Sequence, residues 1–286
     1  KTVILPNSIK EIGDYAFMNC DGIQIELGTT EIIGKKAFAN CGKMVLGSAS
    51  KYSSTRIGAL PTTLRSIGDY AFKGCNWDSS LLNPHREMYF KPQNTLVIPQ
   101  TVTSIGQYAF TESLFEQVYF EDALSLQSLG QSTFEGSKKL TSIYTGFKFN
   151  ATGANYTTNT TSGLKDISNR MFYGCTNRVS SMVSHGEKLN DGLLTIGDLA
   201  FASSGDGMTG LEYISFPKSL ESIGTQAFAN TGLKNVIFST ESRLKSLGEY
   251  AFENSKFEEI TIYSLNTYGN APFWGNTALK AINILT

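Results

Sequence analysis

Four cysteines (Cys20, Cys41, Cys75, Cys175) and two histidines (His85, His185) are the residues of this 286-residue chain that would first be examined for zinc binding or nucleophilic catalysis. A zinc site asks for close ligand spacing such as Cys-x-x-Cys, and no such pair exists. Both histidines fall in stretches that read as loops. The cysteines share one position of a recurring nine-residue phrase, where Ser113, Ser137, Ser204, Thr231 and Ser255 stand in other copies. A column in which Cys, Ser and Thr interchange asks for a small, weakly polar group in a tight place, and serine cannot make a disulfide. Buried free thiols at a helix end are therefore expected, in preference to a disulfide, a zinc site or a catalytic cysteine. Glu258 and Glu259, a candidate carboxylate pair, would point to opposite faces of a strand. With no Ser/His/Asp set, metal cluster or phosphate loop, the chain reads as a non-enzyme without a cofactor.

What positions these groups is the phrase itself, Ile12-Gly13-Asp14-Tyr15-Ala16-Phe17-Met18-Asn19-Cys20. It returns from Ile33, Ile67, Ile105, Leu129, Ile167, Ile196, Ile223 and Leu247, with a worn tenth copy from Tyr268 to Asn276, at spacings of 21 to 38 residues. Such recurrence marks a solenoid, whose units bury their apolar faces only by stacking. Gly13, Ala16, Phe17 and Cys20 lie at i, i+3, i+4 and i+7, which predicts a helix of about two turns held by packing. The aromatic column Phe17, Phe38, Phe72, Phe110, Phe134, Phe172, Phe201, Phe228, Phe252 and Phe273 reads as a spine of stacked rings. Each ring is worth roughly 1.5–3 kcal/mol when buried. The phrase's glycine permits either a positive φ or a close backbone approach. Acidic or amide residues after it, such as Asp14, Asp69 and Asp198, suit the positive end of a short helix.

Between phrases runs a pattern Leu-x-x-Ile-x-Phe, clearest as Leu211/Ile214/Phe216 and repeated as Phe115/Val118/Phe120, Leu233/Val236/Phe238 and Phe257/Ile260/Ile262. Alternation of this kind is half-buried strand. Prolines at 6, 61, 99 and 217 stop several strands and turn the chain toward the next phrase. The expected fold is an α/β solenoid of about ten repeats, a right-handed curved array with a parallel concave sheet and short convex helices, the curvature following from helices being wider than strands. Formal charge is −1 with no basic block, which argues against nucleic acid. No apolar run approaches the roughly 20 residues of a membrane span.

The stretch Val97-Ile98-Pro99-Gln100-Thr101-Val102-Thr103-Ser104-Ile105-Gly106-Gln107-Tyr108-Ala109-Phe110 resembles the repeat of BspA-like leucine-rich proteins, and the resemblance extends over nearly the whole chain. It implies a repeat domain of bacterial surface or secreted proteins, often credited with adhesion, and transfers no catalytic residue. Ser168 and Met171 depart from the expected Gly and Ala, and Pro272 interrupts the last copy. The chain opens at Lys1 in what reads as a strand, so 1–286 is expected to be one leucine-rich repeat domain, a fragment of a longer chain.

Strand residues between the inward positions face the open side of the sheet: Gln117 and Tyr119, Ser142 and Tyr144, Tyr213 and Ser215, Asn235 and Ile237, Glu259 and Thr261, joined by Val97 and Ile4. Weakly charged and dotted with tyrosine, this face suits a host or extracellular protein or a glycan, although β propensity alone also favours Tyr and Thr there. A rigid spacer with no ligand is the alternative, and oligomeric state stays open. Insertions near 47–56, 76–94, 147–163, 176–192 and 205–209 must leave the stack as loops. The second, with Trp77, Pro84, His85, Arg86, Tyr89 and Phe90, reads as a contact loop or a flap over the repeat. The third carries three Asn-x-Thr sequons, at Asn150, Asn155 and Asn159, within a polar flexible loop.

Overall fold

The computed structural model describes residues 2–42, 44–46, 60–75, 95–121, 125–145, 147–149, 156–158, 164–175, 181–182, 192–203 and 211–285. His85, His185 and the insertions at 47–56, 76–94 and 205–209 lie outside them, as do Ser204 and most of 176–192. From the 147–163 insertion, Phe147–Phe149 and Tyr156–Thr158 pair as an antiparallel ribbon, an element that the reading of a polar flexible loop misses.

The chain is a parallel β-solenoid. Ten rings form one column, Phe17 to Phe273, whose nine steps are 4.9 to 6.0 Å; the rings are within 11° of parallel except at Phe172–Phe201, inclined by 30°. Ten copies of the phrase thus bound about nine turns of the stack. Rings from Phe38 to Phe252 are fully buried, and the two end rings, Phe17 and Phe273, are half-buried.

Among the described residues the nine-residue phrase is nowhere a helix. Its backbone turns back on itself through positive φ at the fourth and eighth positions, as at Tyr15 and Asn19 (both 60°), Lys36 and Asn40 (53° and 61°), and Tyr70 and Gly74 (56° and 66°). An α-helix holds φ near −63° throughout. Amides of the fifth, seventh and ninth positions bond three residues back within the turn, as Ala16 to Gly13 (3.3 Å), Met18 to Tyr15 (3.1 Å) and Cys20 to Phe17 (3.1 Å). Amides of the fourth, sixth and eighth positions reach the next repeat instead: Tyr15 N–H donates to Lys35 O (2.8 Å), Phe17 to Ala37 (2.7 Å) and Asn19 to Ala39 (2.8 Å). Every one of these amides is thereby satisfied, half of them between repeats. The reason a helix fails here is width. An α-helix is about 10–12 Å across, whereas the repeats advance by one strand spacing of about 4.8 Å, matching the ring separations. The mismatch that predicted curvature, helices wider than strands, is therefore absent.

The phrase's first residues are two-residue parallel strands, Glu11–Ile12, Ile32–Ile33, Ser66–Ile67, Ser104–Ile105 and Ser128–Leu129 in one sheet, and Asp166–Ile167, Thr195–Ile196, Ser222–Ile223, Ser246–Leu247 and Thr267–Tyr268 in another. Glycine follows because of close approach: a Cβ on Gly106 would lie 2.5 Å from Asp69 N and 2.7 Å from Gly68 C, while its φ is not positive. Gly13, in the first copy, has nothing within 4 Å. Strands of two to five residues, most of them longer, line a second side, namely Thr2–Ile4, Gln24–Glu26 and Val45–Leu46; Thr95–Ile98, Gln117–Phe120, Ser142–Thr145 and Ser181–Met182; Tyr213–Phe216 with Asn235–Phe238; and Glu259–Tyr263 with Ala281–Leu285. All pairings within these groups are parallel. Their inward residues, such as Phe115, Val118, Phe120, Ile214, Phe216 and Ile260, are buried against the ring column. Prolines end the strands as expected and also set the turn, since Val102 N–H donates to Pro99 O (3.0 Å) and Leu220 to Pro217 O (3.2 Å).

Candidate functional site

The chemistry-bearing columns prove to be structural ties. All four cysteines are free, with Cys41, Cys75 and Cys175 buried. They close no helix end. Each buried thiol donates to the phenylalanine carbonyl of the preceding repeat: Cys41 Sγ to Phe17 O (3.0 Å), Cys75 to Phe38 (2.9 Å) and Cys175 to Phe134 (3.2 Å). Ser113 and Ser137 make the same bond to Phe72 and Phe110 (3.2 and 3.1 Å), which explains the interchange: the column wants one small donor. Burial pushes the Cys175 thiol up to about 12 and raises Cys75 well above its ordinary value, so neither is a nucleophile at neutral pH. The acidic column does not cap a helix either. Asp14 Oδ1 accepts the Lys35 amide of the next repeat (2.7 Å), and Asp69 and Asp198 accept those of Gln107 (3.0 Å) and Thr225 (2.8 Å). Among the described residues no group of three His, Cys, Asp or Glu is placed to hold a metal ion, and no helix is long and apolar enough to cross a membrane.

The long-strand face is where side chains remain outside the core. Gln117, Tyr119, Ser142 and Tyr144 fall on two neighbouring strands, with Ser142 opposite Gln117 and Tyr144 opposite Tyr119. Gln117 and Tyr119 are half-buried, and the Tyr119 hydroxyl donates to Gln117 Oε1 (3.1 Å). The backbone is described at Ser142 and Tyr144, whose side chains are not. Val97, opposite Tyr119 and expected on the open face, is buried. Tyr213 and Ser215 are half-buried beside Asn235 and Ile237, which are exposed; Glu259 is exposed on the next strand. Of the eight expected surface residues, the six whose side chains are described are not equally open: Asn235 and Glu259, beside Ile237, are exposed, and the other four are half-buried.

At that point the sheet parts. Asn235–Phe238 bonds Tyr213–Phe216, and Glu259–Tyr263 bonds Ala281–Leu285, but the two inner strands do not pair with each other, although residues 211–285 are all described. Where neighbouring strands pair, the amide after the inward Leu reaches the equivalent carbonyl, as Thr141 to Glu116 (2.8 Å), Lys234 to Glu212 (2.8 Å) and Lys280 to Glu258 (2.7 Å). Across the gap the bond sits earlier, from Lys256 N to Leu233 O (2.8 Å), and the strands then run on as neighbours without pairing. A cleft of about 810 Å³ opens between them, lined among others by Asn235, Ile237, Lys256, Glu259, Thr261 and Tyr263. Lys234, Glu258 and Lys280 also line it, held in ion pairs across the paired strands, Lys234–Glu212 (3.0 Å) and Lys280–Glu258 (2.6 Å). The Lys280 ammonium holds the Glu258 carboxyl below the usual carboxylate range. Sequence reasoning placed Asn235 and Glu259 on the surface; it missed the cleft, because the inward pattern Leu233/Val236/Phe238 is followed by an equally regular Phe257/Ile260/Ile262.

The sequence matches the BspA type leucine rich repeat region over residues 1–59, 48–85, 86–205 and 194–286. The chain belongs to that family. Among solved structures, this BspA-type chain is similar to a leucine-rich repeat protein from Bacteroides ovatus (22% identity, 100% of this chain and 75% of that one, TM-score 0.45). It is similar also to one from Eubacterium ventriosum (18%, 99% and 72%, TM-score 0.49) and to a leucine rich cell surface protein from Faecalibacterium prausnitzii (18%, 99% and 87%, TM-score 0.33). Comparison with curated proteins gives no match. The BspA-type phrase is here a bonded turn that ties one repeat to the next.

Proposed function

We propose that the chain is a surface or secreted binding module of a bacterium, and that it adheres to a host or extracellular protein or glycan through the face of its long strands. What carries this reading is the division of labour in each repeat. The turn side consumes its backbone amides within the turn and between repeats, whereas Asn235, Ile237 and Glu259 stand exposed on the strand side, at the edge of a cleft. Membership of the BspA-type family supports the surface location. A screen of the intact chain against purified extracellular-matrix proteins and an array of glycans tests it. A partner so found is expected to be lost when Tyr119, Asn235 and Glu259 are replaced together by Ala, with the melting temperature kept, and to be retained by Tyr15→Ala on the turn side. Retention by the triple variant would move the binding surface elsewhere. The spacer reading rests on one observation, the ring column that runs unbroken from Phe17 to Phe273. It gains if adhesion of the full-length protein survives exchange of this segment for an unrelated rigid repeat.

A further inference from the structure

The geometry points to the cleft between Asn235–Phe238 and Glu259–Tyr263 as a site for a neutral oligosaccharide. This rests on the binding-module reading and narrows it to one ligand class and one place. The first ground is the backbone. Among the described residues each inner strand has one bonded neighbour only, so the edges that face the cleft keep N–H donors and C=O acceptors side by side. A sugar hydroxyl is both donor and acceptor and can bridge such alternating groups. The second ground is the charge balance. Lys234 and Lys280 on the rim are neutralised by Glu212 and Glu258. The remaining pair on the lining, Lys256 and Glu259, has no ion-pair partner among the described residues and sums to zero. A polyanion or a polycation would find one group of the wrong sign; an uncharged polyol finds a donor and an acceptor. The third ground is the rest of the lining: the Asn235 amide, the Thr261 hydroxyl and the Tyr263 and Ile237 side chains give polar groups beside apolar surface, the mixture that a pyranose presents in return. The cleft persists because the same two repeats are locked elsewhere: Phe228 and Phe252 stack at 5.2 Å, and Ser222–Ile223 pairs with Ser246–Leu247.

Isothermal titration of the whole chain with chitotetraose, cellotetraose, mannotetraose and maltotetraose tests the assignment, alongside a hexasaccharide of heparin and an extended peptide of alternating Thr and Val. At least one neutral sugar is expected to bind. Its affinity should fall by about tenfold or more in Asn235→Ala and in Glu259→Gln, and stay unchanged in Tyr15→Ala, exposed on the turn side. Because Asn235 and Glu259 are exposed, their variants should melt with the parent. Binding that survives both cleft variants would overturn the site. Binding of the heparin fragment or the peptide, with none of the four neutral sugars, would overturn the ligand class and leave the wider binding reading standing.

Discussion

Repeats eight and nine meet twice, and the two meetings differ. On the turn side Gln226, Phe228 and Asn230 each donate an amide to the next repeat, to Glu249, Ala251 and Glu253 at 2.8 Å, and their rings stack. On the strand side Asn235–Phe238 and Glu259–Tyr263 part after a single bond from Lys256 to Leu233. One pair of repeats is closed at one side and open at the other. The comparison teaches that cohesion in this solenoid resides in the turns and the ring column, whose amides and carbonyls are spent between copies. Strand pairing adds to it but can be interrupted without disturbing the stack.

The contrast is broken most directly at the ring column. Phe228→Ala removes a fully buried ring that stacks on Phe201 at 4.9 Å and Phe252 at 5.2 Å, and is expected to lower unfolding free energy in urea by about 3–5 kcal/mol. Ile237→Ala, at an exposed position of the open strand, should stay within about 0.5 kcal/mol. Equal losses would erase the distinction. The next effect is steric. Gly224→Ala would set a Cβ 2.6 Å from Asp198 N and 2.7 Å from Gly197 C, with an expected loss of about 1–3 kcal/mol. Gly13→Ala, with nothing within 4 Å, should leave the melting curve in place. A matching loss at Gly13 would mean that the glycine column serves chain flexibility instead of stacking.

The smallest effect sharpens the comparison through pH. Burial raises the Glu135 carboxyl, but Arg170, donating through Nη2 and Nε at 2.6 and 3.1 Å, overrides it and holds the group below its ordinary 4.5. A folded value below the unfolded one gives stability that is complete above about pH 4.5 and lost as pH falls through the folded value. Urea titrations from pH 7 to pH 2 should show Glu135→Gln lacking about 1 kcal/mol of that acid dependence. Glu258→Gln, at the fully exposed pair on the strand side, should leave the curve nearly unchanged. Identical curves for Glu135→Gln and the parent would remove the turn-side pair from the account.

Much of this fold could be read from residue order. The Phe column, the inward triplets such as Phe115/Val118/Phe120, and the prolines after strands all lie where their spacing put them. The helix did not survive, because Gly13, Ala16, Phe17 and Cys20 fit two conformations: a helix, and a pair of turns with a positive φ every fourth residue. The discriminating signal sat at the eighth position, where eight of ten copies carry Asn or Gly at positive φ (Asn19, Asn40, Gly74, Gly136, Gly174, Asn230, Asn254 and Gly275), the residue types that tolerate it best, while Glu112 adopts it too and Ser203 does not. The site was half readable. Asn235 and Glu259 were placed outward by alternation, but the loss of pairing between their strands goes with the earlier bond from Lys256 to Leu233, which no side-chain pattern records.

Because the turns alone set the advance from copy to copy, the length of chain between them is free. Phe38 and Phe72 are 34 residues apart and Phe228 and Phe252 only 24, yet their rings are separated by 5.3 and 5.2 Å. The solenoid therefore keeps a constant pitch under insertions, and a foreign epitope spliced between two phrases would be displayed as cargo without lengthening the rod by more than its own coil.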